Sequence, residues 1–525
     1  MATNNEPRIR RSIRELEKMY KDGNKEPLEK LMIAWKGIKE LPPDDKNSMF
    51  NIGGYHGEPF RGKGATEGDY WGGYCNHGNV LFPTWHRAYL YNIENALRSI
   101  PGCEDVTLPY WDETEEQSIN GGVPFSLTDE KVSLPGFGEI NNPLRSYKYQ
   151  KRINDNVSGD NSIYTKPEGT VTVRYPYSGL FGTPEAEKAS QIHNDKISPR
   201  NGVLILNSNV SGWMRATIKL PAIAERLKLG GVAKLFELCL DAPNYTVFSN
   251  TTSAKQWNND HKTQVIVPLE APHNDIHLAV GGFDVPDLDP DSFSPYPGAN
   301  GDMGENDTAA FDPIFYFHHC NIDRMFWVWQ KKMDLRDKLE IMPKYPGTFS
   351  GDTNDPPPYP YDMNVPLDNN SKLDPFINPK TKQTFIFSEV VNIEKDLGYT
   401  YSIGTLDKEN WGTLNLAAEQ PLTTKKLRVS NVNRGNIFGS FVIRAFANYE
   451  GKEYYIGHHS VLSRWNVLGC ANCRASINTE AHFNLGELAD ILKPEDYRIV
   501  ITGRDQFQAR LAETLAATPI QVDII

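Results

Sequence analysis

Cysteine is scarce in this chain, with six in 525 residues, at positions 75, 103, 239, 320, 470 and 473. So sparse a set cannot staple a fold of this length; a disulfide scaffold is excluded, and a cytoplasmic protein with reduced thiols is the expectation. Long apolar runs are also missing. No stretch approaches the roughly eighteen apolar residues of a membrane-spanning helix, and residues 1–7 lack a basic segment followed by an apolar one. Neither a membrane partner nor a signal peptide is therefore expected. Positive charge is in deficit, since 55 Lys and Arg face 67 Asp and Glu, giving a formal net charge of −12. A surface that acidic is poorly suited to phosphate backbones, so nucleic acid is excluded as a partner and the acidity serves solubility. No internal repeat or low-complexity tract is present, which argues against a solenoid or a tandem array.

What is present divides the chain in two. A length of 525 residues exceeds one ordinary core. Ile9, Ile13, Leu16, Met19 and Tyr20 recur at three-to-four spacing among charges and predict helix over residues 7–36. Pro83 suits the first turn of another helix, whose apolar face continues through Trp85, Leu90, Ile93 and Leu97. Residues 115–210, rich in Gly, Pro, Ser and Asn, read as long surface loops shaping access to a site. Helical pattern returns over 213–240. From about residue 405 the pattern becomes strand-like, in residues 427–432, 439–446, 453–456 and 497–502. The expected architecture is a mainly α domain over residues 1–404 and a β-rich C-terminal domain over residues 405–525. The 24 Tyr, 23 Phe and 10 Trp suit either a pocket for aromatic ligands or large aromatic cores.

Histidine carries the chemistry. Of twelve histidines, seven fall in two groups: His56, His77 and His86, then His273, His277, His318 and His319. His273 and His277, four apart, lie on one helix face and aim their imidazoles at a common point. A third histidine about forty residues later, on a second helix, completes a three-imidazole site. Singly, each of these is more ordinary as a satisfied polar residue, and His56 in its Gly-rich loop as a surface one. Their clustering points to two metal centres. Neutral nitrogen donors suit copper, zinc, iron or nickel. The absence of a bridging Asp or Glu disfavours a hydrolytic zinc pair, and copper suits chemistry on O2 that needs two electrons at once.

The motifs Phe82-Pro-Thr-Trp85-His86-Arg87, Leu108-Pro-Tyr-Trp-Asp112, His273-Asn-Asp-Ile-His277 with Gly281-Gly282, and Asp312-Pro-Ile-Phe-Tyr-Phe-His-His319-Cys-Asn-Ile-Asp323-Arg324 span most of residues 50–330. Together they closely resemble the tyrosinase family of type 3 copper proteins. The resemblance implies a four-helix-bundle core and two copper ions, copper A on His56, His77 and His86 and copper B on His273, His277 and His319. His318 would then orient and tune the site from behind. Asp323 and Arg324 fit ion pairing within the helix. Tyr399 and Tyr401 look like the tyrosine motif closing the family's catalytic domain, with Arg8, Arg10 or Arg11 as partner. Cys75, two residues before His77, matches the arrangement in which members form a cysteine–histidine thioether; a plain buried cysteine is the alternative.

Glu270 and Asn274 flank the first copper B histidine, as in members where a Glu and an Asn hold a water that deprotonates a phenol. The implied activity is O2-dependent ortho-hydroxylation of monophenols with oxidation of o-diphenols to o-quinones. The partners are small phenols and O2, and self-assembly into a homo-oligomer stays open. A catechol or o-aminophenol oxidase would share the six ligands, and so would a hemocyanin-like O2 carrier, which the lack of tandem units disfavours. In long family members a β-rich C-terminal domain covers the site and keeps the enzyme latent; Leu462 and Trp465 are the candidate plugs. Cys470 and Cys473 form a CxxC compatible with copper loading, with a redox pair, or with a zinc site shared with His458, His459 or His482.

Overall fold

The computed structural model describes residues 6–57, 73–154, 162–216, 231–262, 264–288, 298–350, 365–408, 425–437, 439–465, 467, 477–486, 488–504 and 519–525. The chain begins with a short strand β1 (Arg8–Arg10), then helices α1 (Ile13–Lys21), α2 (Glu26–Glu40), α3 (Met49–Gly54) and α4 (Phe82–Arg98). Helices α5 (Pro184–Asn194), α6 (Pro199–Arg215), α7 (Thr251–Asp260), α8 (Glu270–Gly281) and α9 (Ile314–Met333) follow. Strand β2 (Tyr399–Tyr401) closes the helical part. Helix α4 packs against α2 and α9, α9 against α8, and α8 against α6, so a helical bundle surrounds the histidine segments. Helix α9 is buried continuously from Ile314 to Gln330, the pattern of a helix at the centre of a core rather than at its surface.

Two expectations about local structure change. The helical reading of residues 7–36 holds only from Ile13. Residues 8–10 are extended because they pair in parallel with Tyr399–Tyr401, Ser12 caps α1, and Gly23 at φ +99° separates α1 from α2. The stretch 115–210 is loop over much of its length, but it also holds α5 and the start of α6. Thr183 and Ser198 each accept a hydrogen bond from the first turn of α5 and α6, and each is followed by proline at the first helical position. A cap followed by Pro is a start signal that composition alone obscures.

Strand β1 places Arg10 among the tyrosines that follow the bundle. Its guanidinium lies 3.6 Å from the Tyr399 ring centroid, donates to Tyr401 Oη at 3.1 Å and pairs with buried Glu94 at 2.7 Å. Asp323 on α9 accepts from Arg87 Nε at 2.5 Å, Tyr399 Oη at 2.6 Å and Tyr401 Oη at 2.5 Å. Arg324 instead lies 3.7 Å from Asp112. Both charges thus tie α9 to other segments rather than to each other.

The C-terminal part has strands β3 (Lys426–Asn433), β4 (Phe441–Tyr449), β5 (Lys452–Val461), β6 (Asn478–Asn484), β7 (Tyr497–Thr502) and β8 (Gln521–Ile524). They form two antiparallel three-stranded sheets, ordered β5–β4–β7 and β6–β3–β8. Leu427, Val429, Phe441, Ile443, Ala445 and Phe483 alternate inward and bury one shared core, separate from that of the bundle. Strands β6 and β8 carry no strong alternation and were not expected. Thr405 and Asp407 still bond to Asp112 and Lys331 of the helical part. No described helix is long and apolar enough to cross a membrane.

Candidate metal centre

Each histidine of the first group comes from a different local structure. His56 follows the end of α3, His77 sits in the loop before α4, and His86 lies in the first turns of α4. In the second group, α8 carries His273 and His277 and α9 carries His318 and His319. Their potential ligand nitrogens gather within 4.8 Å in each group, and these are the metal-capable clusters among the described residues. The groups adjoin: the His86 and His319 rings stack at 4.5 Å, and the His77 and His273 rings lie 5.6 Å apart. The structure thus brings together every histidine that the sequence singled out in these two groups.

Backbone oxygens set the tautomers. His56 Nδ1 donates to Asn306 O at 3.0 Å, His86 Nδ1 to Phe82 O at 2.8 Å and His277 Nδ1 to Met303 O at 2.8 Å. His273 Nδ1 donates to Asn274 Oδ1 at 2.9 Å. Each bond leaves Nε2 with its lone pair facing the centre. Nε2 of His56, His77 and His86 is buried without a protein partner, a situation that costs about 1–3 kcal/mol per group unless something else binds it. Nε2 of His273 and His277 each lie 3.2–3.3 Å from His319 Nε2, where one hydrogen could satisfy at most one of them. Six uncharged imidazole donors and no carboxylate among them fit a borderline metal such as copper. Burial, first among the causes, together with the neighbouring imidazoles holds all six below the ordinary histidine pKa, His86 at about 3.

His318, in the same cluster, is held by a carboxyl group. Its Nδ1 lies 2.5 Å from Glu113 Oε1, and Asn321 Nδ2 donates to the other Glu113 oxygen at 2.9 Å. Burial raises the Glu113 carboxyl well above its usual range and lowers His318 to about 3, favouring the uncharged form of both. Sequence reasoning missed Glu113, although it directly follows the Leu108–Asp112 motif. It also missed the carbonyls of Met303 and Asn306, which no side-chain pattern could reveal.

A family profile described as the common central domain of tyrosinase matches residues 46–332, more than half of the chain. The chain belongs to the tyrosinase family. It is 50% identical to the tyrosinase HcTyr2 of Hahella sp. (strain CCB-MM4), over 96% of this chain and 93% of that one. A tyrosinase of Aspergillus oryzae is 43% identical over 90% of this chain and 88% of its own length. Among solved structures, a tyrosinase from Burkholderia thailandensis at low pH matches with a TM-score of 0.83 and 45% identity, covering 99% of this chain and 100% of that one. The chain is accordingly an oxidoreductase of a copper-using family.

Beside this tyrosinase-family centre lies a cavity of about 60 Å³ lined by Cys75, His77, Glu270, Asn274, Ser460 and Leu462, among others. Glu270 Oε1 accepts from Gly78 N at 2.8 Å, while Oε2 accepts from Thr251 N at 2.8 Å and Thr251 Oγ1 at 2.9 Å. Burial outweighs these three bonds and raises the Glu270 pKa. Asn274 Nδ2 reaches Ser460 O at 3.5 Å. The buried Cys75 side chain has Arg464 Nη2 at 3.3 Å and Asn306 Nδ2 at 3.5 Å from its sulfur. Leu462 lines the cavity, whereas Trp465 stacks on Tyr164 at 4.6 Å, away from it. His458 meets Asp275, and His482 meets Asn259. Cys470 and Cys473 lie outside the described residues.

Proposed function

We propose that the chain ortho-hydroxylates monophenols and oxidises o-diphenols to o-quinones with O2, using two copper ions. His56, His77 and His86 would hold one, and His273, His277 and His319 the other. The observation that carries this reading is the convergence of two trios of uncharged imidazoles with inward Nε2 atoms, beside a cavity walled by Glu270 and Asn274. When bound, the copper pair supplies O2 activation and accepts two electrons from the phenol. The chain's own residues do the rest. Glu270 takes the phenol proton, directly or through a water held with Asn274, and the Asn274 side chain also fixes the His273 ring by accepting from Nδ1. His318, backed by Glu113, orients its neighbour from behind. A Cys75–His77 thioether would fix the His77 ring and remove a thiol from an oxidising centre. Cys470 and Cys473 are proposed to capture copper for loading.

Replacing Glu270 by Gln is expected to depress kcat/KM for L-tyrosine about 100-fold and for an o-diphenol severalfold at most. Equal losses would remove the base role. The raised pKa gives a second readout. The carboxylate is the active form, so the ratio of monophenol to diphenol turnover should rise with pH through a midpoint above the ordinary carboxyl range, and the Gln variant should lose that rise. Both Glu270 oxygens already accept hydrogen bonds, an observation that favours a second reading, a diphenol oxidase without hydroxylation. Oxygen uptake with L-tyrosine and with an o-diphenol separates the two, and reversible O2 binding without turnover would mark a carrier.

The covering role of residues 405–525 belongs to the same proposal. A cavity of about 60 Å³ falls below the roughly 150 Å³ that accommodates a benzene ring. Val461, the last residue of β5, and Leu462 after it line this cavity, and in this reading they would stand where a phenol enters. Limited proteolysis or mild detergent should raise turnover at least about tenfold, and Leu462→Ala should do part of the same in the uncut chain. Turnover unchanged by both would remove the cover.

A further inference from the structure

Residues 303–307 form one short stretch that serves both trios. Met303 O accepts from His277 Nδ1 at 2.8 Å, and three residues on, Asn306 O accepts from His56 Nδ1 at 3.0 Å. The same stretch is gripped by the C-terminal domain at four successive residues. Ser440 Oγ donates to Gly304 O at 2.8 Å, and Arg504 Nη2 lies 3.1 Å from Glu305 Oε1. Asn306 N donates to Ser463 O at 3.3 Å, and Arg464 Nη1 pairs with Asp307. Arg464 reaches further, its Nη2 donating to His56 O and Cys75 Sγ, each at 3.3 Å. One guanidinium therefore touches the segment of His56, the segment of His77 and the stretch that fixes the His56 tautomer. Its side chain is 3% exposed, so these contacts are not loosened by solvent.

A domain that merely covered an opening would need apolar contact at the mouth, not a charged fork threaded behind the ligands. We infer that the C-terminal domain positions the first histidine trio, with Arg464 as the positioning residue. The inference rests on the copper assignment proposed above. Lysine is no substitute, because a single ammonium that stays on Asp307 cannot also reach His56 O and Cys75 Sγ, which the second nitrogen of the planar fork holds.

The test uses the full chain loaded with two coppers and challenged with excess chelator. Arg464→Gln and Arg464→Lys should each release one copper equivalent about tenfold faster than wild type, the low end for losing an outer-shell partner, and the other at the wild-type rate. In the double variant Arg464→Gln/His86→Ala, the single remaining copper should leave at the wild-type rate. The copper-free variants should melt close to the copper-free wild type. Release of both coppers at wild-type rates would overturn the inference. So would faster release of both with a lower melting point of the copper-free chain, which marks general destabilisation. A wild-type chain that holds no stoichiometric copper would instead overturn the copper assignment itself.

Discussion

Alanine at His277 is expected to give a folded chain that binds one copper instead of two and oxidises no diphenol at a useful rate. The His277 ring is wholly buried, its Nδ1 is fixed by Met303 O, and its Nε2 lies 3.3 Å from His319 Nε2. Removing it leaves two imidazoles on that side, too few for the three-histidine set proposed there. A reaction that withdraws two electrons together then lacks half of its acceptor. Loss of an outer-shell partner alone costs about 10- to 100-fold, so loss of a ligand should exceed the upper figure. Metal analysis and oxygen uptake read the two effects separately. The informative failure is a variant that still holds two coppers. His318 belongs to the same four-histidine group, and its Nε2 is buried without a protein partner, so such a result would mean that it can take over as ligand.

Asp323→Ala should be the most destabilising single change at a residue that touches no substrate. Its carboxylate compensates buried Arg87 and accepts both tyrosine hydroxyls of β2, with Arg10 at 3.5 Å. Arg10 keeps Glu94 as a second counter-charge, whereas the other acceptors that Arg87 meets among the described residues are the neutral Gln330 side chain and the carbonyls of Val390 and Val391. Stranding a buried cation costs about 3–5 kcal/mol. Asp323→Asn keeps an acceptor of the same shape and should cost less. Urea unfolding checks the ordering, and full copper content of both variants in the absence of urea would confirm that the role is structural. An Ala variant as stable as wild type would mean that the cluster is solvated or repacks.

The sequence carried the two histidine clusters well because their signal is local and chemical. Two histidines four apart on α8, and a histidine doublet on α9, constrain geometry before any tertiary contact is known. It carried the C-terminal strands β3, β4, β5 and β7 for a similar reason, since their apolar residues meet in one core. What stayed hidden depends on contacts between distant segments. Residues 8–10 are extended only because Tyr399–Tyr401 lie alongside, and β6 owes its place to pairing with β3 rather than to its own polar sequence. The oxygens that set the His56 and His277 tautomers belong to the backbone, which has no sequence signature. Helices α5 and α6 are a different case. Their Thr-Pro and Ser-Pro starts were readable, but the polar composition around them argued louder.

The smallness of the cavity beside the histidines has a kinetic corollary. If no phenol fits while Val461 and Leu462 are seated, every substrate competes for the same minor fraction of unseated molecules. That fraction multiplies the apparent KM of each phenol by a common factor, whatever its ring carries. Ratios of specificity between two phenols should then be identical in intact and in cleaved preparations, even where the rates themselves differ by orders of magnitude. The cover would act as a volume control, and the choice among substrates would be made entirely by the walls beneath it.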